Sequence, residues 1–193
     1  MNKIVKNKKD KNDDFFMPYF GTKNREVNEI YDVIKDDLKE IENIFEPFGG
    51  SFALIRFIYR KHLNQFNYFV SDIDDNLISV CLYLLDSSSN EYIINEIKSY
   101  KEITKEEYDK LKIKKINDIN DASKYLFTHV YYCIRPGMYP KTKKVNINYD
   151  RIKNFTKYKD INLSISDAFE IIDKYKDNKK CFFFLRSSIF TYL

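Results

Sequence analysis

The sequence predicts an α/β protein in which a parallel sheet is flanked by helices. Two observations lead to this prediction. Strand patterns alternate with helix patterns, as in βαβ units. The run "CFFFL" is continuously apolar, as strands buried on both faces of a parallel sheet are. The predicted strands are "NIFEPF", "NYFVSD", "INLSIS" and "CFFFL", over residues 43–48, 67–72, 161–166 and 181–185.

The helices are predicted from apolar residues at i, i+3 and i+4 spacing. A first helix is expected from Asn24 to Ile41, where five apolar positions follow this spacing. Thr104 and Glu107 form a capping box at the start of a later polar helix. The remaining predicted helices cover residues 52–63, 75–85, 87–100, 104–116, 121–134 and 167–175.

Composition indicates one sizeable core. The chain has 193 residues, of which 44% are hydrophobic, and this suits a single domain with an insertion. We expect a basic flexible tail over 1–16 and a cofactor-binding α/β part over 17–85. A mostly helical inserted subdomain over 86–150 follows, and 151–193 return to the sheet.

The sequence predicts an intracellular, cytoplasmic protein without a metal. No apolar run is long enough to cross a membrane, and the charged N-terminus lacks the apolar segment of a secretory signal. The cysteines are odd in number and far apart, which favours reduced thiols. His62 and His129 are isolated and have no cysteine at metal-binding spacing. The net charge of +4 permits a polyanionic partner without requiring one.

The stretch "FEPFGGSFA" places Gly49 and Gly50 where a strand turns into a helix. Paired glycines allow a backbone path closed to other residues and let a ligand approach closely. Free N–H groups at the helix start favour an anionic or polar ligand there. The alternative is a plain turn that happens to use glycine.

Asp72 ends the next predicted strand, 22 residues after Gly50. An acid at this place can bind the ribose hydroxyls of a nucleoside cofactor. Alternatively, Asp72 could cap the following helix, although Asp74 or Asp75 could fill that role. The turn is not G-x-G-x-x-G, so a nicotinamide cofactor is the weaker choice.

At this point four segments resemble those of a known family. They are "PYFGTKNRE", "FEPFGGSFAL", "VSDIDDNLISV" and "SISDAFEII", and they follow the order and spacing of the D12 class of DNA adenine-N6 methyltransferases. The resemblance runs from Met17 to Leu185. It implies a Rossmann-like S-adenosylmethionine-dependent methyltransferase fold, incomplete at the C-terminus, and double-stranded DNA as the ancestral substrate.

The resemblance also implies a cofactor site. Lys23 would approach the carboxylate of S-adenosylmethionine, Asp72 would hold the ribose, and Asp167 with Phe169 would lie near the adenine ring. The cofactor loop would be formed by Glu46, Pro47, Phe48, Gly49 and Gly50. The alternatives are a solvated lysine for Lys23, a helix N-cap for Asp167, and core aromatics for Phe48 and Phe169.

The insertion occupies the place of the family's target-recognition region. Arg135 and Tyr139 remain recognisable in it, although the family's N-G pair is absent. Contacts with DNA phosphates would come from Arg135, Lys141, Lys143 and Lys144. Such contacts position a duplex without reading its sequence. A solvated basic loop is the alternative.

The family's catalytic D-P-P-Y should follow "CFFFL", but Arg186, Ser187, Ser188 and Ile189 stand there. In the family, Asp and a proline carbonyl accept hydrogens from the adenine amine, and Tyr stacks on the flipped base. Codons AGA TCC TCC ATA followed by T, read one base later, encode D-P-P-Y. We therefore hypothesise a frameshift just before the motif, with chance as the alternative.

These observations predict a family member that lacks full methyl-transfer activity. One alternative is a non-catalytic module that binds cofactor or DNA and pairs with a downstream fragment that completes the sheet. A nicotinamide-dependent Rossmann oxidoreductase is the other.

Overall fold

The computed structural model describes residues 14–17, 22–100, 104–130 and 147–185. Its centre is a parallel sheet of four described strands, β1 (Asn43–Glu46), β2 (Asn67–Asp72), β3 (Ile161–Ile165) and β4 (Cys181–Phe183). Their order is β3-β2-β1-β4, and each neighbouring pair is parallel. The predicted α/β class is therefore confirmed. Because the strands are parallel, all their carboxyl ends meet at one edge of the sheet.

A row of aromatic rings crosses the sheet on one face. Phe45 on β1 lies opposite Phe69 on β2 and Phe183 on β4. Its ring stacks on both, with centroids 4.7 Å from Phe69 and 4.9 Å from Phe183. This row fixes the register of three strands. β4 is only half-buried, contrary to the expectation of full burial, because among the described strands it pairs with β1 alone.

The helices beside β1 and β2 are α1 (Val27–Ile34), α2 (Ala53–Lys61) and α3 (Asp75–Leu85). α1 is shorter than predicted, since the chain tightens into a 3₁₀ helix over Asp37–Glu40. Two adjacent acids there, Asp36 and Asp37, are poor helix formers. α3 matches its predicted bounds and is capped by Asp74.

The remaining described helices are α4 (Ser87–Ser99), α5 (Lys105–Leu111), α6 (Ile119–Val130), α7 (Tyr149–Lys153) and α8 (Ala168–Tyr175), with a 3₁₀ helix over Asn154–Tyr158. The capping box of Thr104 and Glu107 is confirmed. Apolar side chains of α4 and α6, such as Ile93 and Leu126, belong to the same hydrophobic cluster as Leu84 of α3. The described part of the insertion thus packs against the α/β part, and its status as a subdomain stays a prediction.

The segment Asp14–Met17 lies in the core. Phe15 and Phe16 are almost fully buried and their rings contact Phe155. Residues up to 16 were expected to form a flexible tail, but Phe15 and Phe16 belong to the packed structure. Residues 1–13 lie outside the described part of the chain.

None of the helices in the described ranges is long and apolar enough to cross a membrane.

Candidate functional site

The geometry of the turn after β1 favours glycine at both positions. A Cβ on Gly49 would lie 2.5 Å from Cγ1 of Val70 and 3.0 Å from the carbonyl oxygen of Ser71. The Gly49 N–H donates to that same carbonyl at 2.8 Å. Gly50 has φ of 49°, which other residues adopt at a cost. The turn is therefore pressed against the carboxyl end of β2.

Asp72 binds this turn directly. Its Oδ2 accepts a hydrogen bond from the Gly50 N–H at 2.7 Å, and its Oδ1 accepts one from the Asp74 N–H at 3.0 Å. Asp74 caps α3 by accepting from the Leu77 N–H, so Asp72 does not serve as the cap. The half-buried carboxylate of Asp72 and the glycine turn form one unit.

Glu46 supports the turn from inside. Its side chain is fully buried, and its Oε2 accepts from the Ile55 N–H at 3.1 Å. Ile55 lies in the first turn of α2, where a negative charge is favoured by the helix dipole. Glu46 thus ties the end of β1 to the start of the helix that follows the turn.

The segment around Lys23 lies against the glycine turn. The Ser51 hydroxyl donates to the hydroxyl oxygen of Thr22 at 2.8 Å. Lys23 pairs with Glu26 at 3.1 Å, and its carbonyl accepts from the Glu26 and Val27 N–H groups. The two sequence segments are therefore brought together at the same edge of the sheet.

Asp167 and Phe169 lie at the start of α8, beyond the end of β3. Asp167 accepts from the Phe169 N–H at 2.7 Å. It is therefore the N-cap of α8, which was the alternative role given to it. Phe169 is 68% exposed, so its alternative role as a core residue is wrong. Its ring meets Phe48 edge to face at 6.3 Å between centroids. Two aromatic rings thus flank the carboxyl edge.

A cleft of about 280 Å³ lies between α8 and the carboxyl ends of the strands. Pro47, Ser71 and Ser166 are among the residues that line it. The Ser166 N–H donates to the Asp72 carbonyl, which holds the end of β3 beside β2. The cleft adjoins the glycine turn through Pro47.

Three residues near this edge were not among the predicted site residues. Ile73 and Ile165 are 79% and 52% exposed at the ends of β2 and β3. For Ile73 the available signal was its place directly after the strand-end acid Asp72. Arg56 is fully buried and bonds to the carbonyl of Ser51. Its place in the helix pattern "FALIRFIYRKHL" gave no sign of that burial.

The histidines serve the fold. His62 Nε2 lies 2.6 Å from the Tyr31 hydroxyl, and His129 Nδ1 lies 2.8 Å from the Tyr125 carbonyl. Burial lowers the pKa of His129. In the described ranges no group of three or more histidine, cysteine, aspartate or glutamate side chains could hold a metal ion.

Two groups of predicted residues fall outside the described part of the chain. They are the phosphate-contact candidates Arg135, Lys141, Lys143 and Lys144 with Tyr139, and the motif positions Arg186, Ser187, Ser188 and Ile189.

A parallel sheet in the order β3-β2-β1-β4, with a glycine turn after β1 and an acid at the end of β2, defines a Rossmann-like α/β protein. The family model of the D12 class N6 adenine-specific DNA methyltransferases matches residues 19–185, and the chain belongs to that family. The comparison with curated proteins found no match.

Proposed function

We propose that the chain binds S-adenosylmethionine at the carboxyl edge of its sheet. The observation that carries this proposal is the bond between Asp72 Oδ2 and the Gly50 N–H at 2.7 Å. It holds a carboxylate beside a turn with no side chain in the way, where a nucleoside can approach closely. Ribose hydroxyls donate well to such a carboxylate.

The other residues of this edge fit the two ends of the cofactor. Lys23 offers a cation to the methionine carboxylate, and Thr22 holds that segment on the turn. Phe48 and Phe169 offer aromatic surface to the adenine ring, and exposed Ile73 adds apolar area. Glu46, Pro47, Gly49 and Asp167 shape the loop and the helix start around them.

When bound, S-adenosylmethionine supplies an electrophilic methyl group on a positively charged sulfur. The adenine amine is a weak nucleophile because its lone pair is delocalised into the ring. It needs acceptors for its hydrogens, and an arginine has none. Arg186 would also repel the sulfonium, and Ile189 offers no aromatic ring for the base. We therefore propose that the chain alone transfers methyl groups slowly or not at all.

We also propose that the insertion over 86–150 contacts DNA. Its basic residues Arg135, Lys141, Lys143 and Lys144 would meet phosphates, which binds a duplex in a salt-dependent way. Full activity would then require a second polypeptide that carries D-P-P-Y.

The first test is calorimetric titration with S-adenosylmethionine. Asp72→Asn removes the charge but keeps the shape, and Asp75→Asn makes the same change three residues along the chain. Hydrogen bonds to charged groups contribute about 1.5–3 kcal/mol, so the Kd should rise at least about tenfold for Asp72→Asn and stay nearly unchanged for Asp75→Asn. A folded wild-type protein without saturable binding would refute the proposal.

The second test is transfer of radioactive methyl groups to adenine-containing duplex DNA. We expect no label with the chain alone, and label after co-expression with a fragment carrying D-P-P-Y. Label from the chain alone would contradict the role given to Arg186. Sequencing the gene beyond this point tests the frameshift, which an absent D-P-P-Y frame would exclude.

A further inference from the structure

Arg56 is a buried cation that bonds to three segments around the glycine turn. Its side chain is 0% exposed. Nε donates to the Ser51 carbonyl at 3.0 Å, and one terminal nitrogen donates to Asn24 Oδ1 at 3.1 Å. The other terminal nitrogen is paired with Asp14. One planar guanidinium therefore joins the turn, the segment next to Lys23 and the segment Asp14–Met17.

The turn needs such support because it ends in a strained residue. Phe52 has φ of 35°, which is a genuine outlier for a bulky side chain. Such conformations persist only where the surroundings enforce them. The guanidinium carbon of Arg56 lies 5.8 Å from the Phe52 ring centroid and 5.1 Å from that of Phe15. Phe15 also meets Phe52 edge to face at 5.6 Å.

Burying Arg56 is costly unless its charge is compensated. Asp14 supplies the compensation and also accepts from Arg60 at 2.6 Å and from Lys157 at 2.7 Å. Burial alone would raise the pKa of Asp14, but Arg56 and the hydrogen bonds from Lys157 and Tyr158 hold it well below its usual range. Asp14 is therefore an anion, and it anchors Arg56 in its place.

We propose that Arg56 is a positioning residue for cofactor binding, which holds the Gly49–Phe52 turn and the Thr22–Asn24 segment in one fixed geometry. The proposal rests on the proposed cofactor site, because these segments carry Gly50 and Lys23. None of the contacts described for Arg56 involves Gly50 or Lys23. It acts through the Ser51 carbonyl and through Asn24.

Arg60 provides a matched control, since it lies one turn further along α2. It shares Asp14 with Arg56 and also donates to the Tyr158 hydroxyl at 2.8 Å. None of the contacts described for it involves the turn or Asn24. A lysine ammonium has its three N–H donors on one nitrogen, so it cannot span partners that are arranged around the planar guanidinium. Arg56→Lys and Arg60→Lys are thus the same chemical change, but only Arg56 is described as bonded to the turn.

The test is amide hydrogen exchange by NMR on the cofactor-free protein. The Gly49, Gly50 and Phe52 N–H groups are all hydrogen-bonded in the turn. We expect them to exchange about tenfold faster in Arg56→Lys, relative to amides of β2, and within about twofold of wild type in Arg60→Lys. Equal effects of the two substitutions, or no local effect of Arg56→Lys, would overturn the proposal.

Titration with S-adenosylmethionine then connects the turn to binding. We expect the Kd to rise about tenfold for Arg56→Lys but not for Arg60→Lys, even where both lower the melting temperature. An unchanged Kd for Arg56→Lys would overturn the role in binding.

If wild type does not bind the cofactor, the proposed function is wrong, while the exchange measurement still decides the effect on the turn. If Arg56→Lys does not fold, Asn24→Ala is measured in its place under the same criteria, because it removes one acceptor and keeps the cation.

Discussion

Substitution of Gly49 by alanine tests whether the turn is pressed against β2. The added Cβ would lie 2.5 Å from Cγ1 of Val70, well inside normal contact distance. Val70 is 1% exposed, and its branched side chain has few rotamers to choose from. Ser71 cannot yield easily either, because its carbonyl belongs to the paired strand β2. The new methyl group must therefore move the turn.

The magnitude follows from overpacking in a core, which typically costs about 1–3 kcal/mol. The contact with the Ser71 carbonyl at 3.0 Å adds to the clash with Val70, so we expect a loss near the upper end, about 3 kcal/mol. The affinity for S-adenosylmethionine should fall as well, because Gly50 moves with the turn.

The assay is urea unfolding followed by circular dichroism, since the chain has no tryptophan. Val70→Ala removes the atom that Gly49→Ala would meet. In the double variant the two substitutions should couple, so that Gly49→Ala costs at least about 1 kcal/mol less than in wild type. A loss below about 0.5 kcal/mol for Gly49→Ala, or strict additivity with Val70→Ala, would refute the reasoning.

Two further substitutions test the charge network and the aromatic row. Asp14→Asn should lower the free energy of unfolding by about 2 kcal/mol at neutral pH, because it removes the anion that compensates Arg56. Since the pKa of Asp14 is depressed in the folded state, its contribution is present above its unfolded pKa of about 4 and is lost as the pH falls below it. Urea unfolding at pH 7 and pH 3 should therefore show a smaller difference between wild type and variant at pH 3, and an equal difference would contradict this assignment. Phe45→Leu removes both ring stacks in the centre of the sheet and should cost about 2 kcal/mol in the same assay. Phe57→Leu loses the edge-to-face contact with Tyr31 and the contact with the Lys61 ammonium, but no ring stack. It should therefore cost less, and equal losses would argue against the row.

The strands and the helices beside them were predictable because their patterns are strong. β2 and α3 match their expected bounds, since alternating or periodic apolar residues run without interruption between turn residues. The first helix was expected to reach Ile41 but gives way to a 3₁₀ helix before it. Apolar spacing at Leu38 and Ile41 suits both geometries, so periodicity alone cannot separate them.

The glycine turn and the strand-end acid of the candidate site could be picked out from the sequence, but the side chains that support them could not. Gly49 and Gly50 stand out because glycine is scarce in the chain. Asp72 stands out because it ends a strand, although its bonds to the Gly50 and Asp74 N–H groups could not be predicted from the sequence. The solvent exposure of the aromatic side chains could not be predicted from the sequence. Phe169 looks like a core residue in a helix pattern, yet it lies in the open at the start of α8.

The buried charges show most clearly what a sequence conceals. Arg56 and Asp14 lie 42 residues apart. Asp14 stands at the end of a charged stretch, and the sequence around Arg56 does not indicate which anion compensates it. Only the three-dimensional path brings them together under a strained turn. An isolated ion pair at the surface would contribute little, whereas the guanidinium of this pair is fully buried, lies near two aromatic rings and is bonded to the Ser51 carbonyl of the turn. Its effect should therefore appear in the geometry of the cofactor edge as well as in the stability of the fold.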